Sequence, residues 1–478
     1  MSGPQGIADL SPLVRRRQQR AWYWYDWANS GYVTTVGSVL FAPYLTSVAE
    51  RDACGFTTDV DAGVRCTERL QVLGLALSPG SLVFYVITLA TIASAFVLPV
   101  VGAVADRSTR RRTLLARFAW AGSAAAAGMF FVQGTNWQLG AVLLLLANVA
   151  LGSSLVVYDA ILIDVATPDE RDRVSSRGWA LGYLGGGLLL ALNLALVLGH
   201  DALGLTAETA VRVSLLSAAV WWAGFTLVPY LGLEDRGPGK ADVARPPPAD
   251  GGHASGVRGP RPGLLRGSFG QLASTLRDLR NYPVTLSFLV AYLVYNDGIQ
   301  TVIVSASTYG EKELGFSTSV LISTILLVQY VAFAGALVFG RAAERFGARR
   351  VVLAGLVGWG VVVSAGFGLP EQEVAPFLVL AAGIGLVLGG TQALSRSLFS
   401  QLVPRGREAE YFSLYQAGER GTSWLGTLVF GLVHQWTDSY RPAILALVLF
   451  FVVGFVLLLR VDPVRGIREA GNRPPAVV

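Results

Sequence analysis

The stretch VGAVADRSTRRR (Val101–Arg112) sets Gly102 ahead of the pair Asp106-Arg107 with three residues between and follows the pair with Arg110 and Arg111. The pattern returns in FGRAAERFGARR (Phe339–Arg350). There Gly340, Glu344, Arg345, Arg349 and Arg350 keep the same order, 238 residues later in a chain of 478. Each copy lies between two apolar stretches, as a short loop joining two membrane helices would. A small residue lets the helices approach, and a carboxylate and cations suit helix ends and pair with charges on neighbouring helices. Basic loops between spans are common, so one copy says little. Repetition at half-length implies two similar bundles.

The composition agrees with a bilayer environment. The chain is 53% hydrophobic and 15% charged with a mean hydropathy of +0.51, whereas soluble domains carry about 25% charge. Windows of about 20 apolar residues occur at 21–48, 81–105, 113–132, 137–162, 178–199, 213–233, 282–309, 319–340, 351–369, 374–399, 412–433 and 442–459. The uncharged run Phe118–Tyr158 is too long for one crossing, and Gly134-Thr135-Asn136 divides it into a helical hairpin. The basic residues gather in alternate loops. The other loops hold only Arg51, Arg65, Arg69, Arg212, Lys312 and Arg441, which puts both termini in the cytoplasm. The net charge of +6 therefore reflects topology and does not point to nucleic acid. The first window is too long and too aromatic for a cleaved signal peptide. These readings divide the chain into a cytoplasmic tail (1–20), a first six-helix bundle (21–233), a Pro/Gly-rich cytoplasmic linker (234–281), a second bundle (282–460) and a cytoplasmic tail (461–478). The end of the linker, with Leu272, Leu276 and Leu279 on one helical face, either lies on the membrane surface or begins span seven.

The paired loops resemble the signature of the major facilitator superfamily, with Thr109 in place of the usual glycine and Glu344 in place of aspartate. Four segments extend the likeness to the family once called the unknown major facilitator family, related to fungal vacuolar amino-acid effluxers: YDWANSGYVTT (Tyr25–Thr35), RGWALGYLGGGLLLALNL (Arg177–Leu194), YNDGIQTVIVSASTYG (Tyr295–Gly310) and GGTQALSRSLFSQLVPRGREAEYFSLYQ (Gly389–Gln416). The resemblance implies an all-α membrane protein of twelve transmembrane helices in two pseudo-symmetric six-helix bundles. It also implies a secondary transporter, with amino-acid export known for the fungal relatives.

Ionisable residues inside spans are functional candidates by default. Asp26, with Asn29 one turn on, is placed to bind a cation or a substrate amine, unless it serves as a helix-end carboxylate. Asp297 lies deep in span seven. The run Asn296-Asp297-Gly298 invites a helix break around a proton or amine site, an outer-gate bond to span one being the rival. Gln392 and Arg396 share a face of span ten, where Arg396 either receives a substrate carboxylate or pairs with Glu419 or Asp159. Gln416, Glu419 and Ser423 form one stripe, from which Arg420 points away. Glu419 is a second proton carrier or an ion-pair partner. Gly102, Asp106, Arg107, Arg110, Arg111, Gly340, Glu344, Arg345, Arg349 and Arg350 form the gate, with Asp164 pairing the first arginine cluster. Trp22, Tyr23, Trp24 and Trp27 read mostly as interfacial anchors. Gly182, Gly185, Gly186 and Gly187 read as a helix-packing run. Cys54 and Cys66, in the first outer loop, are expected to form a disulfide, two free thiols being the alternative.

His200, His253 and His434 are scattered, and there is no Walker loop, HExxH or nucleophile elbow. No cofactor, metal or enzymatic activity is expected. The expected molecule is a monomer in the plasma membrane that moves a small polar or zwitterionic solute, with protons as coupling partner. The rivals are an uncoupled exporter of amphipathic compounds and a receptor or scaffold, for which the linker supplies no ordered domain.

Overall fold

The computed structural model describes residues 10–55, 66, 68–72, 74–235, 277–421 and 424–478. Most of the expected linker, including Leu272 and Leu276, and Ser423 of the expected stripe lie outside these residues. The protein is an all-α, multi-pass membrane protein. Among the described residues, eleven helices or helix runs are long and apolar enough to cross a bilayer.

The first crossing is a single helical run from Pro12 to Cys54, with α1 (Pro12–Tyr32), a π-helical segment (Val33–Leu40) and α2 (Phe41–Cys54). Ser11 opens α1 by accepting the Val14 N–H, the usual role of a hydroxyl at an N-cap. The π-helical segment begins on four successive β-branched residues, Val33 to Val36, which crowd the preceding turn of an α-helix. A short hairpin, β1 (Leu70–Val72) against β2 (Leu75–Leu77), follows with Leu70 opposite Leu77. The first bundle then continues with α3 (Leu82–Arg107), α4 (Arg111–Gly128), α5 (Trp137–Val165), α6 (Arg171–Leu198) and α7 (Ala207–Gly232). The turn between α4 and α5 falls at Gly134, whose φ of +59° suits a residue without a side chain.

The second bundle comprises α8 (Pro283–Lys312), α9 (Thr318–Phe346), α10 (Ala348–Phe367), α11 (Val374–Leu402), α12 (Glu408–Gly421), α13 (Trp424–Thr437), α14 (Tyr440–Ala446) and α15 (Val448–Leu459), with α16 (Pro463–Glu469) after it. Within the window 412–433 the structure describes α12 as far as Gly421 and α13 from Trp424. One reading is corrected here. The break expected at Asn296-Asp297-Gly298 is absent, since α8 runs unbroken through all three. Gly298 instead makes room for a neighbour: a Cβ there would stand 2.8 Å from the Phe450 side chain.

The two bundles meet along two matching seams, α3 against α12 and α6 against α9, with α11 also packing on α6. Helices two and five of each bundle thus exchange places, as two copies of one unit related by a pseudo-two-fold axis would. The signature glycines sit at these seams. A Cβ on Gly102 would lie 2.6 Å from the Ala409 carbonyl, and one on Gly340 would lie 2.6 Å from the Ser176 side chain. Outside the bundles the surface is apolar, with Phe84 65% and Tyr85 54% exposed on α3, which fits lipid rather than water.

Candidate functional site

The centre of the molecule holds a buried cation. Arg396 on α11 is 3% exposed and comes from the second bundle, while its partners come from the first. Its Nη2 donates to Asp26 Oδ2 at 3.1 Å and to the Ser175 carbonyl at 3.1 Å. Its Nη1 donates to Asp26 Oδ1 and Asp159 Oδ1, both at 3.4 Å, and its Nε to Ser175 Oγ at 3.0 Å. A guanidinium has five N–H donors, and these five bonds match them. The rings of Trp22, Tyr158 and Trp179 stand 4.9, 5.4 and 5.3 Å from its Cζ, within cation–π range.

Neighbouring side chains hold the carboxylates in place. Tyr158 OH donates to Asp26 Oδ2 at 2.7 Å, and Gln416 Nε2 to Asp159 Oδ2 at 2.8 Å. Asp26 fits only because α6 presents glycine: a Cβ on Gly178 would collide with Asp26 Oδ2, and one on Gly182 would lie 3.3 Å from the Asp26 Cβ. Gly185 makes similar room for Trp27, and Gly186 for Thr34.

A second polar group lies on the same face of α11, four residues earlier. Gln392 Nε2 donates to Asn296 Oδ1 on α8 at 2.9 Å. Beside it Asp297, 2% exposed, accepts the Gly426 N–H of α13 at 2.9 Å on Oδ2. Its Oδ1 and the Asn296 Nδ2 have no hydrogen-bond partner among the described residues, and Asp297 makes no ion pair there. Buried carboxylates normally have a cation or a full set of donors.

Two readings of individual residues change. Arg420 does not point away from the stripe: its Nη1 reaches back one turn to Gln416 Oε1 at 2.5 Å, and so joins the Asp159 network. A long side chain reaches i−4 on its own helix, which a count of Cα directions misses. Trp22 and Tyr23 are buried in the core rather than anchored at an interface, with Trp22 stacked on Tyr158 at 4.3 Å. Asn29 donates its amide N–H to the Tyr25 carbonyl of its own helix at 2.7 Å. Glu419 lies one turn below Gln416 on α12.

Toward the basic loops the two bundles are bonded together. Arg111 gathers Asp106 at 3.0 Å, Asp164 at 2.9 Å and, from the second bundle, Glu408 at 3.2 Å. Asp106 also accepts the Ala409 and Glu410 N–H groups at the start of α12, both at 2.9 Å, where a helix N-terminus favours a carboxylate. In the second copy Glu344 stands 3.8 Å from Arg173 across the seam, and Arg349 donates to the Leu458 carbonyl at 3.2 Å and the Leu459 carbonyl. Arg112 does the same for Leu233 at 2.9 Å in the first bundle. Arg107, Arg110 and Arg350, expected in the gate, are exposed and make no ion pair among the described residues, and Arg345 lies over the Phe346 ring. Arg171 to Ser400, Ser397 to Asp172 and Gln401 to Pro168 add further cross-bundle bonds. The series extends as far as Gln329 Nε2 to Thr34 Oγ1, 2.9 Å. At the opposite end, Arg51 and Tyr44 bond Glu208 within the first bundle, and Arg441 bonds Glu313 within the second. Cys54 and Cys66 are joined there by a disulfide, their Cα atoms 5.9 Å apart. No group of three or more His, Cys, Asp or Glu placed to hold a metal occurs among the described residues.

Sequence reasoning did not single out Tyr158, Ser175, Trp179 or the Thr34–Gln329 pair. Hydroxyls and aromatic rings in apolar helices look like ordinary packing residues, and no spacing marks them.

The family model described as "Vacuole effluxer Atg22 like" matches residues 14–471. The chain is 28% identical over 445 residues to the uncharacterized MFS-type transporter YxiO of Bacillus subtilis, covering 92% of this chain and 94% of that one. It is 24% identical to autophagy-related protein 22 of Pyricularia oryzae, covering 100% of this chain and 80% of the relative. Among solved structures it resembles the proton:xylose symporter XylE, with a TM-score of 0.69, 10% identity and coverage of 97% and 99%. It also resembles the human organic anion transporter MFSD10, with a TM-score of 0.62, 15% identity and coverage of 94% and 100%. These likenesses to solved structures establish the major facilitator fold.

Proposed function

The chain belongs to the Atg22-like vacuole effluxer family of major facilitator transporters, and on that premise we propose that it moves a small zwitterionic, amino-acid-like solute, coupled to protons, by alternating access. The observation that carries this reading is one buried guanidinium of the second bundle held by two carboxylates of the first. Parting the bundles at that level separates Arg396 from Asp26 and Asp159. Removing one partner of a buried ion pair costs about 3–5 kcal/mol. A zwitterion offsets this cost because it brings a carboxylate for Arg396 and an ammonium for Asp26 and Asp159. A simple anion or cation serves only one side.

Asp297 is assigned the proton. Its carboxylate is nearly sealed from water and has no cation beside it among the described residues. It is linked through the adjacent Asn296 and Gln392 to the helix that bears Arg396. Glu419 is the second candidate. The basic loops and both termini face the cytoplasm of a plasma membrane in this reading, by the positive-inside rule, and the working unit is the monomer.

The test is counterflow in liposomes preloaded with single compounds. Free amino acids should exchange, while their methyl esters and N-acetyl derivatives, which lack one charge, should not. Equal exchange of both derivatives would overturn the zwitterion assignment. It would favour the uncoupled export of amphipathic compounds, for which the Trp22, Tyr158 and Trp179 rings would supply the binding surface.

A further inference from the structure

We propose that the protein binds the headgroup of an anionic phospholipid in the pocket between the end of α3 and the start of α4, with the acyl chains in the groove between these helices. The pocket, of about 310 Å³, is lined by Arg107, Arg110 and Arg117 together with the hydroxyl-bearing Ser108, Thr109 and Thr113. That volume is at the lower end of ligand pockets, roughly 300 Å³.

The arginines are uncompensated. Arg111 and Arg112, in the same loop, are held by Asp106, Asp164, Glu408 and Asp235. Arg107, Arg110 and Arg117 make no ion pair among the described residues. Three like charges around one concavity repel each other until an anion enters. Phosphate oxygens suit the guanidinium forks, and the three hydroxyls offer further hydrogen bonds.

The position identifies the anion's carrier. Along α3 the exposed residues Tyr85, Leu89, Ile92, Phe96 and Val104 follow helical spacing, and Arg107 continues the same face one turn beyond Val104. Arg110 immediately precedes α4, and on that helix Thr113 and Arg117 share a face that leads on to the exposed Ala121 and Ala124. Both helices pack on α5 rather than closing on each other, which leaves a lipid-facing groove with small alanine side chains along one wall. A basic mouth on an apolar groove at the membrane rim fits an amphiphile with an anionic head.

The experiment uses the full-length protein, stripped of lipid in detergent, with phosphatidylglycerol, phosphatidylcholine and inorganic phosphate as separate probes. Binding is read by native mass spectrometry and by the shift in unfolding temperature. Each basic group near a headgroup contributes about fivefold in affinity, so an Arg107→Ala/Arg110→Ala/Arg117→Ala variant should lose on the order of a hundredfold for phosphatidylglycerol. Arg350→Ala, an exposed arginine at the same end of the second bundle, should lose nothing. If the triple variant does not fold, Arg117→Gln alone should lose about fivefold. Equal binding of phosphatidylcholine would overturn the anionic headgroup. Inorganic phosphate binding as tightly as the lipid would overturn the groove, and unchanged affinity in the arginine variants would overturn the pocket.

Discussion

Arg396 is the residue whose loss the structure tolerates least, because every donor it carries is used inside the protein. Arg396→Lys keeps the charge but offers three donors from a point, without the planar fork or the ring contacts. We expect zwitterion counterflow to fall at least tenfold while the protein still purifies folded, and undiminished counterflow would remove Arg396 from the site. Gly178→Ala tests the same cluster from the opposite wall. The added methyl meets Asp26 Oδ2 and lies 3.2 Å from Arg396 Nη2. Overpacking of this kind typically costs about 1–3 kcal/mol, so a lowered unfolding temperature and weaker transport should appear together. The sequence marked Asp26, Asp297, Gln392, Arg396 and Gln416 because polar groups stand out in apolar helices. It offered Asp159 as one possible partner of Arg396 but did not single out Asp26, since pairing across helices far apart in the chain depends on distances that no periodicity encodes. Tyr158, Ser175 and Trp22 were hidden for another reason, in that each resembles a packing or interfacial residue until the guanidinium is seen beside it.

Among the elements, the glycines at the seams set how closely the bundles approach. Gly102 and Gly340 allow α3 to meet α12 and α9 to meet α6 with no side chain between them. Gly102→Val should wedge the first seam apart and shift the population away from the state closed at the basic loops. Distances between spin labels placed on α3 and α12 at that end should lengthen, and an unchanged distribution would show that the seam yields without moving. The hairpin of α4 and α5 was readable because Gly134-Thr135-Asn136 interrupts the long uncharged run. The π-helical stretch at Val33–Leu40 was not, since its residues also suit an apolar α-helix. The break expected at Asn296-Asp297-Gly298 failed because a glycine flanked by polar residues reads as a turn, whereas Gly298 serves the contact with Phe450.

At the level of the whole molecule, the structure is closed at the end that carries the two signature loops, and each half contributes to the closure. The first copy does most of the bonding: Arg111 joins Asp106 and Asp164 of its own bundle to Glu408 across the α3–α12 seam, whereas the second offers only the looser Glu344–Arg173 contact. The half-length repeat thus revealed the two bundles but not this asymmetry. Arg111→Gln leaves Glu408, Asp106 and Asp164 without their cation and should raise the fraction of molecules open at that end, visible as a lower energy-transfer efficiency between dyes on the two bundles. The coupled-transport account is tested most directly by following internal pH in liposomes containing the purified protein while free amino acids are added from one side. It predicts substrate-dependent proton movement in the natural protein and its loss in Asp297→Asn. Cargo that moves without protons, or an Asp297→Asn variant that keeps full pH-gradient-driven transport, would contradict it.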